Sequence, residues 1–161
     1  MTDISRLSSK GLLALHATVA EELRARGITR SSNNPTGDFA EFLFCRAFGW
    51  AQAGNSHANI DAIGPDGLRY QIKGRRTTRH NKPRQLGSIR DFKGRHFDFL
   101  AAVIFTETFE VLKAAIIPYA VVEQRATYIA HTNSHKFILH DQVWSEGGVK
   151  DVTAELRAME F

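Results

Sequence analysis

A chain of 161 residues and 18.0 kDa predicts a single domain, long enough to bury roughly 70% of its unfolded surface without a disulfide or metal staple. Hydrophobic residues make up 43% and charged residues 24%, with four prolines, which excludes a disordered or low-complexity chain. Net charge is +4; no apolar run approaches the ~18 residues of a membrane span, Met1-Thr-Asp-Ile-Ser-Arg lacks signal-peptide form, and the single Cys45 excludes an internal disulfide framework and fits a reducing cytoplasm.

Residues 9–26 read as an amphipathic helix, with Leu12, His16, Val19 and Leu23 on one face and Gly27 ending it. A second helix starts where Asn34 caps and Pro35 suits the first turn, and runs to Phe48 with Gly49 beyond its end. Phe39, Phe42, Leu43 and Ala47 form its apolar face, while Asp38, Glu41 and Cys45 form a separate stripe. Strands follow at 58–64, 68–74, 97–105 and 109–117. The third is apolar on both faces after Leu100, as a central strand is. Pro118 opens a short helix to about Arg125, 136–140 is a further strand, and 149–159 a terminal helix. This order predicts an α/β (α+β) fold with a mixed central β-sheet flanked by helices. The whole of 1–161 is one domain, with an N-terminal helix within 1–30 packing on a core of 31–161.

Charge is unevenly spread. Ten of the 21 Lys and Arg lie between Arg69 and His96, opposed only by Asp91, so that segment carries +9 and the remainder −5. Such concentrated self-repulsion fits a polyanionic partner, nucleic acid foremost. Within the tract, Arg75, Arg76, Arg79, Lys82 and Arg84 are the candidate phosphate contacts.

Gly64-Pro65-Asp66-Gly67 predicts a three-residue hairpin loop with Gly67 in the left-handed position. That loop pairs Gly64 with Leu68 and sets Asp61 opposite Gln71, with Lys73 one diagonal step away. A two-residue loop would pair Asp61 with Tyr70 instead. Alternation puts Asp61, Gln71 and Lys73 on one face and Tyr70 and Ile72 on the other. A carboxylate is a natural Mg²⁺ ligand and the Ile72 carbonyl completes a site; Lys73 beside it orients a water or stabilises developing charge. Glu41 or Asp38 supplies a second carboxylate. The plain alternative is a polar sheet face with an exposed Asp61–Lys73 pair, contributing ~0–1 kcal/mol.

Glu41 in a helix, Ile60-Asp61 at a strand and Gln71-Ile72-Lys73 on the next strand together resemble the PD-(D/E)XK, or restriction-endonuclease-like, nuclease superfamily. The resemblance covers about 35–75 by motif and 35–145 by element order. It implies Mg²⁺-dependent hydrolysis of DNA phosphodiester bonds, with Mn²⁺ as a substitute, by a restriction- or repair-type endonuclease. Asp61 would be the central metal ligand, Gln71 and the Ile72 carbonyl would complete the site, Lys73 would position the attacking water, and Glu41 would be an outer ligand. Two features depart from the family pattern: Gln71 stands where an acid is commonest, and one strand is added to the core. RNA remains open as the substrate. The alternatives are an inactive DNA-binding module of the same fold and an interaction subunit with an acidic protein partner. Cutting two strands needs two sites, hence an expected homodimer, with the first helix as its element.

Lesser signals point elsewhere. His131, His135 and His140 lack the spacing of a zinc site, and His57 is a candidate auxiliary base. Cys45 reads as a buried helix residue, and Trp50 and Trp144 as core or edge aromatics.

Overall fold

The computed structural model describes residues 3–54 and 59–161. Helix α1 (Ser9–Ala25) begins on Ser8, whose Oγ accepts from the Gly11 N–H at 3.1 Å, satisfying one of the donors that every helix start leaves open. None of its residues is buried, and Leu12, Leu13 and Val19 are exposed. Near its end Leu23, with Ile28 just beyond, lines a small apolar cavity shared with Pro35, Phe39, Phe109 and Phe161. Helix α2 (Thr36–Phe48) starts as its sequence predicts: Asn34 Oδ1 accepts from the Thr36 N–H at 3.0 Å and from its hydroxyl at 2.7 Å. Gly49 ends it in the left-handed conformation. Phe39, Ala40, Leu43 and Phe44 are its buried stripe.

The central sheet has six strands: β1 (Ala51–Gln52), β2 (Ala62–Ile63), β3 (Arg69–Arg76), β5 (Phe99–Phe105), β6 (Val111–Pro118) and β9 (Lys150–Asp151), paired in that order. Only β3 and β5 run parallel; the other neighbours are antiparallel. A smaller sheet pairs β4 (Ile89–Arg90), β8 (Ser134–Lys136) and β7 (Thr127–Ile129). Helix α3 (Tyr119–Arg125) lies between β6 and β7, and α4 (Thr153–Arg157) follows β9. This is the expected mixed α/β architecture. Among the described residues, no helix is long and apolar enough to cross a membrane.

Two apolar layers sandwich the central sheet. On one face, Tyr70, Ile72, Ala101, Val103 and Phe105 pack with Phe39, Leu43 and Phe44 of α2 and Leu156 of α4. On the other, Leu100, Ala102, Ile104 and Ile117 meet Val122 of α3, Phe92 and Phe137. Leu100 through Phe105 are fully buried, as expected of a strand covered on both sides. An aromatic stack runs from Phe44 to Trp50 to Tyr70, with centroids 5.8 and 3.6 Å apart, so Trp50 is a core aromatic.

Three boundaries depart from the sequence reading. The predicted strand at 58–64 is only Ala62–Ile63 in the ladder, with Asn59 at φ 72. The predicted strand at 136–140 instead ends at Lys136. Phe137 and Leu139 bond outward to Leu86 and Arg84 across an irregular pair of segments, so their alternation reflects burial of both side chains rather than a regular ladder. The predicted terminal helix at 149–159 is shortened to Thr153–Arg157, because Lys150–Asp151 joins the sheet edge. Asp151 Oδ1 then accepts from the Thr153 N–H at 2.9 Å and starts the helix there.

Candidate active site and nucleic-acid interface

The β2–β3 hairpin fixes the position of Asp61. Ala62 pairs with Tyr70 and Ile63 with Arg69, the register of the three-residue loop. Gly67 sits at φ 81, which an L side chain rarely adopts, and its N–H bonds the Gly64 carbonyl at 2.9 Å. The alternative two-residue register is thereby excluded. At Asp61 the ladder ends: its N–H donates to the Tyr70 carbonyl at 2.9 Å, and its Oδ2 accepts from the Ile72 N–H at 2.7 Å. Asp61 therefore clamps the open edge of β3 instead of standing directly opposite Gln71. In an extended strand the N–H and C=O of one residue point to the same side, so the Ile72 carbonyl opens on the edge that Asp61 occupies.

Gln71 and Lys73 share the sheet face of their β5 partners Leu100 and Ala102, while Ile72 faces α2. Gln71 is 5% exposed and its Oε1 has no hydrogen-bond partner. Burial raises the Asp61 pKa, and the Ile72 N–H and then the Lys73 and Arg30 charges offset this only in part; among the described residues Lys73 and Asp61 make no direct ion pair.

Glu41 arrives from α2 and its carboxylate pairs with the Arg30 guanidinium; Gln52 Nε2 donates to the same oxygen at 3.4 Å. Burial first, and then the Asp61 charge, push the Glu41 pKa up to about 7 despite Arg30. Two carboxylates thus converge on one edge with their charges only partly compensated. Asp38, the other candidate, is committed elsewhere. Its Oδ2 accepts from the Arg30 and Ser31 N–H groups at 2.9 and 2.8 Å and from the Ser31 hydroxyl at 2.9 Å. Burial would raise its pKa, but these bonds and the Arg30 charge together hold it below the ordinary value. Asp38 is a clamp that presents Arg30 to Glu41. Burial pushes the Cys45 thiol up to about 11, aided by Glu41, so it carries no nucleophilic thiolate at neutral pH.

The Glu41 shift has a measurable consequence. Its folded pKa lies above the unfolded 4.5, so the native chain holds a proton that the unfolded chain has released, and stability falls as pH rises from about 4.5 to about 7. Thermal melts in EDTA across that window are expected to show a smaller decline for Glu41→Gln than for the wild type. Parallel curves would place Glu41 outside a buried carboxylate pair.

Of the ten cations between 69 and 96, three are neutralised by carboxylates: Arg69 by Asp98 at 3.0 Å, Arg84 by Asp141 at 2.7 Å and Arg95 by Glu123 at 3.5 Å. Arg84 is therefore already held. The other seven have no carboxylate within 4.0 Å among the described residues. Arg75 and Arg76 belong to β3 rather than to a loop. Arg75 donates to Asn81 Oδ1 at 2.9 Å with its Nε buried and unpartnered. Arg76 donates to the Glu107 carbonyl and lies 4.8 Å over the Phe109 ring. Arg79 lies within, and Lys82 just after, a closed turn in which Thr78 and Asn81 bond each other reciprocally.

Arg30 and Gln52 are the residues that sequence reasoning missed. Arg30 is an isolated cation in a Ser- and Asn-rich connection, eleven positions from its partner, and no local pattern marks it. His57 lies outside the described residues. No protein-family model matches the chain, and no curated protein matches it.

Proposed function

We propose that the chain is a cytoplasmic, metal-dependent endonuclease that hydrolyses DNA phosphodiester bonds. The observation that carries this reading is the convergence of Asp61 and Glu41 on the edge of β3, beside Lys73 and within a basic tract in which seven of ten cations have no carboxylate partner among the described residues. Two carboxylates whose pKa values burial raises, an inward-turned Gln71 oxygen without a partner and a backbone carbonyl on the same edge are an all-oxygen donor set, which suits Mg²⁺ and Mn²⁺. Among the described residues there is no cluster of three or more His, Cys, Asp or Glu, but Mg²⁺ ordinarily takes one or two carboxylates and completes its shell with water and substrate.

Asp61, Glu41 and the Ile72 carbonyl would hold the ion, with Gln71 behind them. The ion supplies charge neutralisation at the phosphoryl oxygens and a more acidic water. The side chains do the rest. Lys73 donates a hydrogen bond to the attacking water or to a non-bridging oxygen, where negative charge grows. Arg75 and Arg76 lie two and three residues further along the same strand and hold flanking phosphates. Water adds to phosphorus and releases a proton to solvent as the bond to the leaving ester oxygen breaks, and that oxygen takes up a proton from solvent. Cutting both strands needs two such sites; the exposed Leu12, Leu13 and Val19 of α1 are the surface we assign to pairing of two copies.

The ion pair between Arg30 and Glu41 favours one other reading, a binding module of the same fold that has lost chemistry. Supercoiled plasmid incubated with the wild type in Mg²⁺, Mn²⁺ or EDTA separates the two. Nicked and linear products in either metal, and none in EDTA, are expected. Salt-sensitive binding without any cleavage would select the inactive module.

A further inference from the structure

The small sheet borders an open cavity of about 860 Å³, lined by Arg90 and Lys93 on one side and by Tyr128, Thr132, Asn133 and His135 on the other. That is the size range of pockets that hold small organic molecules. Tyr128 and His135 are directly paired across β7 and β8, their rings 5.3 Å apart. Tyr128 is 54% exposed, a large aromatic residue left to solvent. Its hydroxyl donates to Asn133 Oδ1 at 3.1 Å, which orients the amide and leaves the two Nδ2 hydrogens for another acceptor. Arg90 and Lys93 have no carboxylate partner among the described residues. Asp91, the acid among the lining residues, is bonded to His96. Asp91 and Asn133 both adopt left-handed backbone, φ 45 and 44, a local cost that tends to collect at functional sites.

An exposed ring face, an oriented amide and two uncompensated cations are the complement of a base, its edge and its phosphates. The cavity takes two of its lining cations, Arg90 and Lys93, from the basic tract. We propose that the cavity takes one unstacked nucleotide of the strand bound by the tract: the base stacks on Tyr128, Asn133 reads its edge, and Arg90 and Lys93 hold its phosphates. This rests on the nucleic-acid reading of the tract, though not on cleavage.

The test is anisotropy of a labelled single-stranded 12-mer, in EDTA, with the full-length protein at two salt concentrations. Tyr128→Ala is expected to weaken binding about tenfold, while Tyr128→Phe stays near the wild type. Arg90→Ala combined with Lys93→Ala is expected to lower the salt slope by about one to two. Circular dichroism melts confirm that each variant folds. Equal affinity for Tyr128→Ala and the wild type would overturn the pocket, and would leave the nuclease reading standing if plasmid is still cut. Ring-dependent binding by a protein that cuts nothing would support the pocket and reject the nuclease. Binding of a labelled polyglutamate with no binding of the 12-mer and no plasmid cleavage would assign the tract to an acidic protein and reject both.

Discussion

Asp61→Ala and Lys73→Ala are each expected to lower metal-dependent plasmid cleavage by roughly 10³-fold, with DNA affinity in EDTA changed by no more than a few-fold. The two losses have different origins. On the proposed reading Asp61 would supply a metal-facing oxygen; it also accepts from the Ile72 N–H at 2.7 Å, so alanine leaves that strand-edge donor unpaired. Asp61→Asn keeps an acceptor at that position while removing the charge, and should fold better than the alanine variant yet cleave as poorly. Lys73 is one cation among seven without a carboxylate partner in the tract, so its removal should cost about one unit of salt slope and nearly all of the activity. Kinetics that lost affinity and rate in parallel would make Lys73 an ordinary phosphate contact, and cleavage that survived Asp61→Asn would remove Asp61 from the metal site.

Gly74→Val is expected to destabilise the fold by about 3 kcal/mol, a fall in Tm of roughly 6–12 °C for a chain of this size. Gly74 lies on β3 under α2. A Cβ there would stand 2.9 Å from the Ala40 Cβ and 2.9 Å from the Thr36 carbonyl oxygen. The second contact is backbone, so it is relieved only by moving the helix. That helix carries Glu41, and residual cleavage should fall by more than the unfolded fraction accounts for. Gly37→Ala is the control: nothing lies within 4 Å of its Cβ position, and alanine in a helix should leave stability equal or better. A Gly74→Val melt within 2 °C of the wild type would mean that α2 has room to lift from the sheet.

Much of this fold was legible where short-range chemistry decides. Asn34, Pro35 and Gly49 bound α2 through local caps, and Gly67 sets the hairpin register because few residues tolerate its backbone conformation. The hairpin register in turn located Asp61 within one residue of its observed contacts. What stayed hidden depends on distant partners. Strands β1, β4 and β9 are two residues long and carry no periodicity, so only pairing with the rest of the sheet defines them. Arg30 is invisible for the same reason, since only α2 gives it meaning. The segment 136–140 alternated correctly, but alternation reports burial, and here burial came without a ladder. Asp38 and Glu41 share a stripe and looked interchangeable; the loop before α2 claims the first and leaves the second facing Asp61.

The lone parallel pairing in the central sheet also sets a length. Because β3 and β5 point the same way, the chain leaving Arg76 must travel back along the full strand before Phe99 can begin. The residues that make this return journey, 77–98, include six of the ten clustered cations. Two of these six, Arg84 and Arg95, are paired with carboxylates, and Arg90 lies on β4 of the smaller sheet. Eight residues of β3 extend about 26 Å, which equals roughly eight base pairs of duplex at 3.4 Å each. On the proposed nucleic-acid reading, a duplex lying along β3 would therefore be contacted over most of one helical turn.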